Sequence, residues 1–274
     1  MSEATQTITQ PTEDTAPFVL THQVQGIGTI TLNRPGKLNI LTREMIAAIH
    51  TAIHQMAEDA AVRVIILAAE GKAFCAGHDL KEILGQPEAE IASLFNTCKD
   101  MMEGIRLASK PVIASVQGVA VAAGCQLVAS CDLVMASSLA NFGTTGIKAG
   151  LFCSTPMVPI SRVVQPRKAL EMLFTGDLVD ATAAEEMGLV NHVVAPEELM
   201  ARTQDLAARI AANSPYAIGL GKEAFYRQLG INHQAAYEIG VKAMVMNTQA
   251  EEGKEGMTAF LEKRTPNFSK PTEK

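Results

Sequence analysis

The stretch Val62-Arg63-Val64-Ile65-Ile66-Leu67-Ala68 constrains this chain more than any other. It is β-branched and apolar at nearly every position. A strand facing water on one side would alternate apolar and polar residues. A near-continuous run belongs to a strand covered on both faces, as in parallel sheets flanked by helices. Parallel neighbours need crossover connections of a dozen or more residues, and the chain has room for them. Gly28-Thr29-Ile30-Thr31-Leu32 reads as a strand closed by Asn33-Arg34-Pro35-Gly36. Thr42 can cap a helix whose Met45, Ile46, Ile49 and Ile53 recur at helical spacing. A helix over residues 88–108 follows, then a strand Pro111-Val112-Ile113-Ala114-Ser115-Val116, a helix through Val128 and a strand Asp132-Leu133-Val134-Met135-Ala136. The expected fold class is α/β with largely parallel pairing.

The last third changes character. Four helices are expected, over residues 196–212, 215–229, 233–248 and 251–263, the first with Pro196 at its first turn. Met244, Met246, Met257 and Phe260 form apolar stripes on them. The pattern alone leaves two readings open, docking between subunits and packing within one. Residues 1–17 are rich in Thr, Glu, Gln and Pro and read as a disordered leader. They carry no Arg or Lys and no apolar core of a signal, which predicts a cytoplasmic protein. Net charge −6 gives no basic footprint for nucleic acid or a membrane surface. No apolar run approaches the ~18 residues of a transmembrane helix. Cys75, Cys98, Cys125, Cys131 and Cys153 show no metal-ligand spacing and read as reduced thiols, so no metal is expected.

Chemistry concentrates in two small-residue turns. One is Lys72-Ala73-Phe74-Cys75-Ala76-Gly77-His78-Asp79-Leu80, directly after the buried strand. The other runs from Gly118 to Gly124. Small residues let a ligand approach the backbone, and N–H groups at a strand-to-helix turn can donate to an oxygen. Two such turns facing each other would form an oxyanion hole, worth ~2.7–4 kcal/mol per donor in a transition state.

These landmarks come with others in order: Leu32-Asn33-Arg34-Pro35-Gly36-Lys37-Leu38-Asn39, Ala140-Asn141-Phe142-Gly143, Glu186-Met187-Gly188-Leu189-Val190-Asn191, and Gly256-Met257-Thr258-Ala259-Phe260-Leu261-Glu262-Lys263-Arg264. Together they resemble the crotonase (enoyl-CoA hydratase/isomerase) superfamily from about residue 18 to 268. The resemblance is closest to a subgroup with Gly-His-Asp-Leu-Lys-Glu at the first turn and Gly150-Leu151-Phe152-Cys153-Ser154-Thr155-Pro156 after the second. It implies a spiral of repeated ββα units with a C-terminal helical trimerisation segment. It divides the chain into the leader, an α/β core with an acyl-CoA site over 18–195, and a helical oligomerisation segment over 196–274. It also implies a homotrimer or dimer of trimers acting on an acyl-CoA or enoyl-CoA thioester, with coenzyme A as part of the substrate and no separate cofactor.

Carried over residue by residue, the resemblance makes the backbone N–H groups of His78 and Ala123 the oxyanion donors. Ala stands where the family usually has Gly, a substitution that requires negative φ. Lys37, Leu38, Ala76, Asp79 and Leu80 would line the coenzyme, joined by Phe260 and Lys263 from the last helix. A lysine there suits a phosphate, or it is a solvated charge favoured at a helix C-terminus. Two departures stand out. Gln126 occupies the place of a proton-handling glutamate, and Gly146, twenty residues on, that of a second carboxylate. Hydration of an enoyl thioester needs a base at the β-carbon and an acid at the α-carbon. Gln126 can orient water but cannot take its proton, Gly146 has no side chain, and Thr144, Thr145 and Cys153 are poor bases. Weak hydration is therefore expected, with the change of both Gln126 and Gly146 to Glu restoring more than either alone if the loop accepts a side chain. Three functions stay open: a hydratase/isomerase with relocated acid/base groups, an acyl-CoA decarboxylase or thioester hydrolase, and a non-catalytic acyl-CoA binder. His78 resembles a His of the methylmalonyl-CoA decarboxylase branch, but the Tyr of that branch falls near Cys153 here.

Overall fold

A computed structural model describes residues 16–268, so most of the expected leader lies outside the described residues. The chain opens on a hairpin of β1 (Val19–Val24) and β2 (Ile27–Leu32), turned at Gln25-Gly26. α1 (Arg43–Glu58) follows, with the Thr42 hydroxyl accepting from Met45 N at 3.2 Å as expected. Three similar turns come next. β3 (Val64–Ala69) and β4 (Ala73–Cys75) lead to α2 (Glu88–Leu107). β5 (Val112–Val116) and β6 (Val119–Val121) lead to α3 (Ala123–Ser130). β7 (Leu133–Ser137) and β8 (Asn141–Gly143) lead to α4 (Met157–Val163) and α5 (Pro166–Thr175). Then come β9 (Val179–Asp180), α6 (Ala181–Glu186), β10 (His192–Val194) and α7 (Leu199–Ala211). α8 (Pro215–Gln228), α9 (His233–Gln249) and α10 (Glu251–Glu262) finish the chain.

In each turn the first strand joins a six-stranded sheet ordered β1-β2-β3-β5-β7-β10, and the second joins a four-stranded sheet ordered β4-β6-β8-β9. All pairs are parallel except β1 with β2 and β8 with β9. The result is the ββα spiral that the resemblance implied. β3 and β5 lie at the centre of the large sheet, and Val64, Ile65, Ile66 and Leu67 are wholly buried. Ile65 and Leu67 face the main core with α1, α2 and α3. Val64 and Ile66 face a second cluster closed by Ala207 and Ala211 of α7.

Two expectations change. Residues 73–75 and 119–121, expected within loops, form strands. Three residues carry too little periodicity to be recognised. The boundary expected at 195/196 puts α7 with the terminal helices, whereas α7 covers the second face of the large sheet. Its Leu199, Thr203, Ala207 and Ala211 are buried there. α8 is anchored by Lys222, whose Nζ lies 2.6 Å from Asp132 Oδ2 and donates to the carbonyls of Ile105 and Lys110. Tyr226 donates its hydroxyl to Asp132 Oδ1 at 2.8 Å.

Candidate active site

The two small-residue turns meet. After β4 the chain passes through Gly77 at φ +91°, a conformation that favours glycine, and reaches His78. Asp79 then accepts from Lys81 N at 2.9 Å and starts a 3-10 turn over Leu80–Glu82. Segment 34–41 runs alongside. Ala76 N donates to Leu38 O at 3.1 Å and Leu41 N to Gly77 O at 2.8 Å, forming a short parallel bridge between Leu41 and His78.

The second turn leaves β6 through Ala122 at φ 51°, ψ −119°. A non-glycine residue there costs about 1–3 kcal/mol and marks a place where the fold forces the backbone. Ala122 N is held by Gly143 O at 2.8 Å. Ala123 is the first helical residue of α3 and is absent from the positive-φ positions, so the condition for an alanine donor is met. A Cβ placed on Gly124 would lie 2.0 Å from Cys75 O, so only glycine lets α3 sit this close to β4. A Cβ on Gly77 would lie 3.0 Å from Ala122 Cβ and 3.3 Å from Ala123 N. Gly77, which precedes His78, therefore lies against the start of α3 at Ala123. Neither the His78 N–H nor the Ala123 N–H donates to a backbone acceptor among the described residues. Ala123 N also stands at the positive end of the α3 dipole.

The positions expected to move protons hold neutral groups. Gln126 is one helical turn beyond Ala123, 4% exposed, and its Oε1 is buried with no partner among the described residues. Residues three apart share a helix face, so Gln126 lies on the same face of α3 as Ala123. The His78 ring packs edge-on against Phe95 at 5.2 Å, and burial pushes its pKa down to about 4, so it is neutral at pH 7. Gly146 lies in a 3-10 turn where a Cβ would meet Leu151 O at 2.7 Å and Cys153 Sγ at 2.9 Å. Burial raises the Cys153 thiol, only partly offset by a hydrogen bond from the Gly146 backbone. The Thr144 hydroxyl is committed to Met172 O at 2.6 Å. The nearby carboxylates act as caps, Asp79 on Lys81 N and Glu82 on Arg43 N at 3.1 Å.

Of the expected coenzyme-lining residues, Lys37 ends a 3-10 turn, and Leu38 follows at φ 54° beside Ala76. Asp79 and Leu80 continue the first turn. Phe18, Arg34, Lys37, Ile40, Thr42 and Glu44 line a cavity of about 170 Å³. A larger cavity of about 470 Å³ is lined instead by residues of β2, α7 and the turn before β3, Arg63 among them. Phe260 is 83% exposed on α10, and Lys263 caps that helix at φ 56°. No described hydrogen bond or ion pair joins either residue to the two turns. Residue patterns do not single out Asn39, a buried amide that joins segment 34–41 to the first turn; its signal in the sequence is its place in the Leu32–Asn39 landmark.

The enoyl-CoA hydratase/isomerase family model matches residues 22–271. "Enoyl-CoA hydratase domain-containing protein 3, mitochondrial" from Mus musculus is 43% identical over 250 residues, 91% of this chain and 83% of that protein. The solved structure of human enoyl-CoA hydratase domain-containing protein 3 matches with TM-score 0.89 and 44% identity, covering 91% of this chain and 99% of the other. An enoyl-CoA hydratase from Mycobacterium smegmatis matches with TM-score 0.90 and 45% identity, covering 93% and 100%. The comparisons correct the cytoplasmic expectation. The mouse, rat, human and Xenopus relatives are all named mitochondrial. The expectation had rested on a short polar segment without Arg or Lys, and residues 1–15 lie outside the described ones.

Proposed function

The chain belongs to the enoyl-CoA hydratase/isomerase family, and from that premise we propose that it binds an acyl or enoyl thioester of coenzyme A and polarises the thioester carbonyl. The backbone N–H groups of His78 and Ala123 are the donors, and they stabilise the enolate oxygen as charge develops there. The 3.3 Å approach of the Gly77 position to Ala123 N carries this reading, because it brings two strand-to-helix turns to one point. Lys37 and Leu38 flank the coenzyme, with Ala76, Asp79 and Leu80 near its adenine and pantetheine. Phe260 and Lys263 reach the coenzyme of a neighbouring subunit in a trimer or a dimer of trimers.

Hydration is weak in this reading. A water attacking the β-carbon needs a base. Gln126 is an amide, His78 is held neutral by burial and packs edge-on against Phe95, and Asp79 and Glu82 are engaged as caps. Calorimetry with acetyl-CoA and a longer acyl-CoA tests the binding. Saturable heats for both are expected. Heats no larger than those from an unrelated acidic protein would refute the assignment.

A further inference from the structure

We propose that Asn39 is a positioning residue that couples the coenzyme loop to the oxyanion turn; the inference rests on the thioester reading above. Asn39 is wholly buried and sits at φ 52°. Its Oδ1 accepts from Arg34 N at 2.8 Å, and its Nδ2 donates to Glu70 O and Ala73 O, both at 2.9 Å. Both protons of the amide are used, and the oxygen is used as well. A buried amide that completes its hydrogen bonds fixes whatever it touches, because each group left unpaired would carry its full desolvation cost.

The groups it touches matter. Arg34 N opens the loop that carries Lys37 and Leu38. Ala73 O opens β4, whose far end carries Gly77 and His78. From Asn39 the two segments run side by side, tied by Ala76 N to Leu38 O and Leu41 N to Gly77 O. The amide therefore sets how far β4 advances along segment 34–41, and so where the His78 N–H stands relative to the Ala123 N–H. Gln117 steadies the same strand from the other side, donating from Nε2 to Ala69 O, Gly71 O and Ala73 O at 3.0–3.2 Å. The hydrogen bonds described for Gln117 do not reach the coenzyme loop, so the coupling is assigned to Asn39. Oxyanion donors act over a narrow range of distance, and a displacement of about 1 Å can cost ~10²-fold in rate.

The test uses cinnamoyl-CoA, an enoyl thioester whose absorbance moves to longer wavelength when its carbonyl is polarised. Wild type is expected to bind it saturably with a red shift. Asn39→Gly tolerates the positive φ and removes the side-chain hydrogen bonds together with the small buried volume that carries them. It is expected to bind about tenfold more weakly, as misplacing one oxyanion donor worth ~1.4 kcal/mol implies, and to lose most of the red shift even at saturation. The shift at saturation reads donor geometry, which a merely stabilising residue would leave alone. An undiminished shift in saturated Asn39→Gly overturns the proposal. Should that variant not fold, Asn39→Asp keeps the acceptor for Arg34 N and loses at least one of the two donors, and the same two outcomes apply. No binding or no shift in wild type would instead remove the thioester reading itself.

Discussion

At position 146 the missing side chain is a matter of space as well as chemistry. A Cβ there would press on Leu151 O and Cys153 Sγ, so the loop is built around a glycine. The sequence shows that a carboxylate is absent but not that its place is closed, since the closing atoms come from residues five and seven positions on. The expectation for a restored pair changes accordingly. Gln126→Glu alone is expected to raise crotonyl-CoA hydration by ~10²-fold, the lower end for a general base. Gly146→Glu is expected to lower the melting temperature, overpacking costing about 1–3 kcal/mol, and to add nothing to turnover. A double variant much faster than Gln126→Glu, with an unchanged melting temperature, would show that the loop yields. His78 gives a second residue-level outcome. Burial lowers its pKa to about 4 from 6.5, so the unfolded chain takes up the proton first as pH falls. Stability is therefore full above about pH 6.5 and lost as pH falls toward 4, by at most ~3 kcal/mol. His78→Leu keeps the backbone N–H and should flatten that part of the stability curve, measured by denaturant unfolding at pH 7 and pH 5. Identical pH dependence in the two proteins would contradict it.

Among the elements, those with a long repeat were legible and those without were not. Residues 88–108 read as one helix and form α2 over Glu88–Leu107. β4, β6 and β8 have three residues each and exist because neighbouring strands pair with them. The site hangs from these short strands, so its two turns were visible in sequence while their meeting was not. The register that brings Gly77 against Ala123 comes from sheet pairing. α8 shows the same division. Its span was clear, but its anchor joins positions 90 residues apart, Asp132 and Lys222, both nearly buried. Removing one partner of such a pair leaves a buried charge and typically costs 3–5 kcal/mol. Lys222→Met is expected to destabilise by about that much in chemical denaturation. A loss under about 1 kcal/mol would mean that the Tyr226 hydroxyl and Val112 N, which donates to Asp132 Oδ2 at 2.7 Å, satisfy Asp132 alone.

For the whole molecule, α8 and α9 bury no residue completely, and Phe225, Tyr237, Val241, Met244 and Val245 are each more than half exposed. Exposed apolar surface on this scale marks an interaction site, and the proposed assembly is a trimer or hexamer, measurable by light scattering. A stable, dispersed full-length monomer would refute it. Truncation must respect α7: a chain ended at residue 195 loses the cover of Val64 and Ile66 and is expected not to fold. One ended at residue 213 keeps α7 and should be a less stable monomer. The proposed site polarises a thioester but lacks the groups that move protons. Steady-state hydration of crotonyl-CoA by the wild-type protein tests this most directly. Loss of an acid and a base at ~10²–10⁴-fold each places the expected turnover ~10⁴-fold or more below that of an ordinary enoyl-CoA hydratase assayed alongside, somewhat less if the two act as a unit. Turnover within about tenfold of that enzyme would contradict the account and show that another acid and base serve the site.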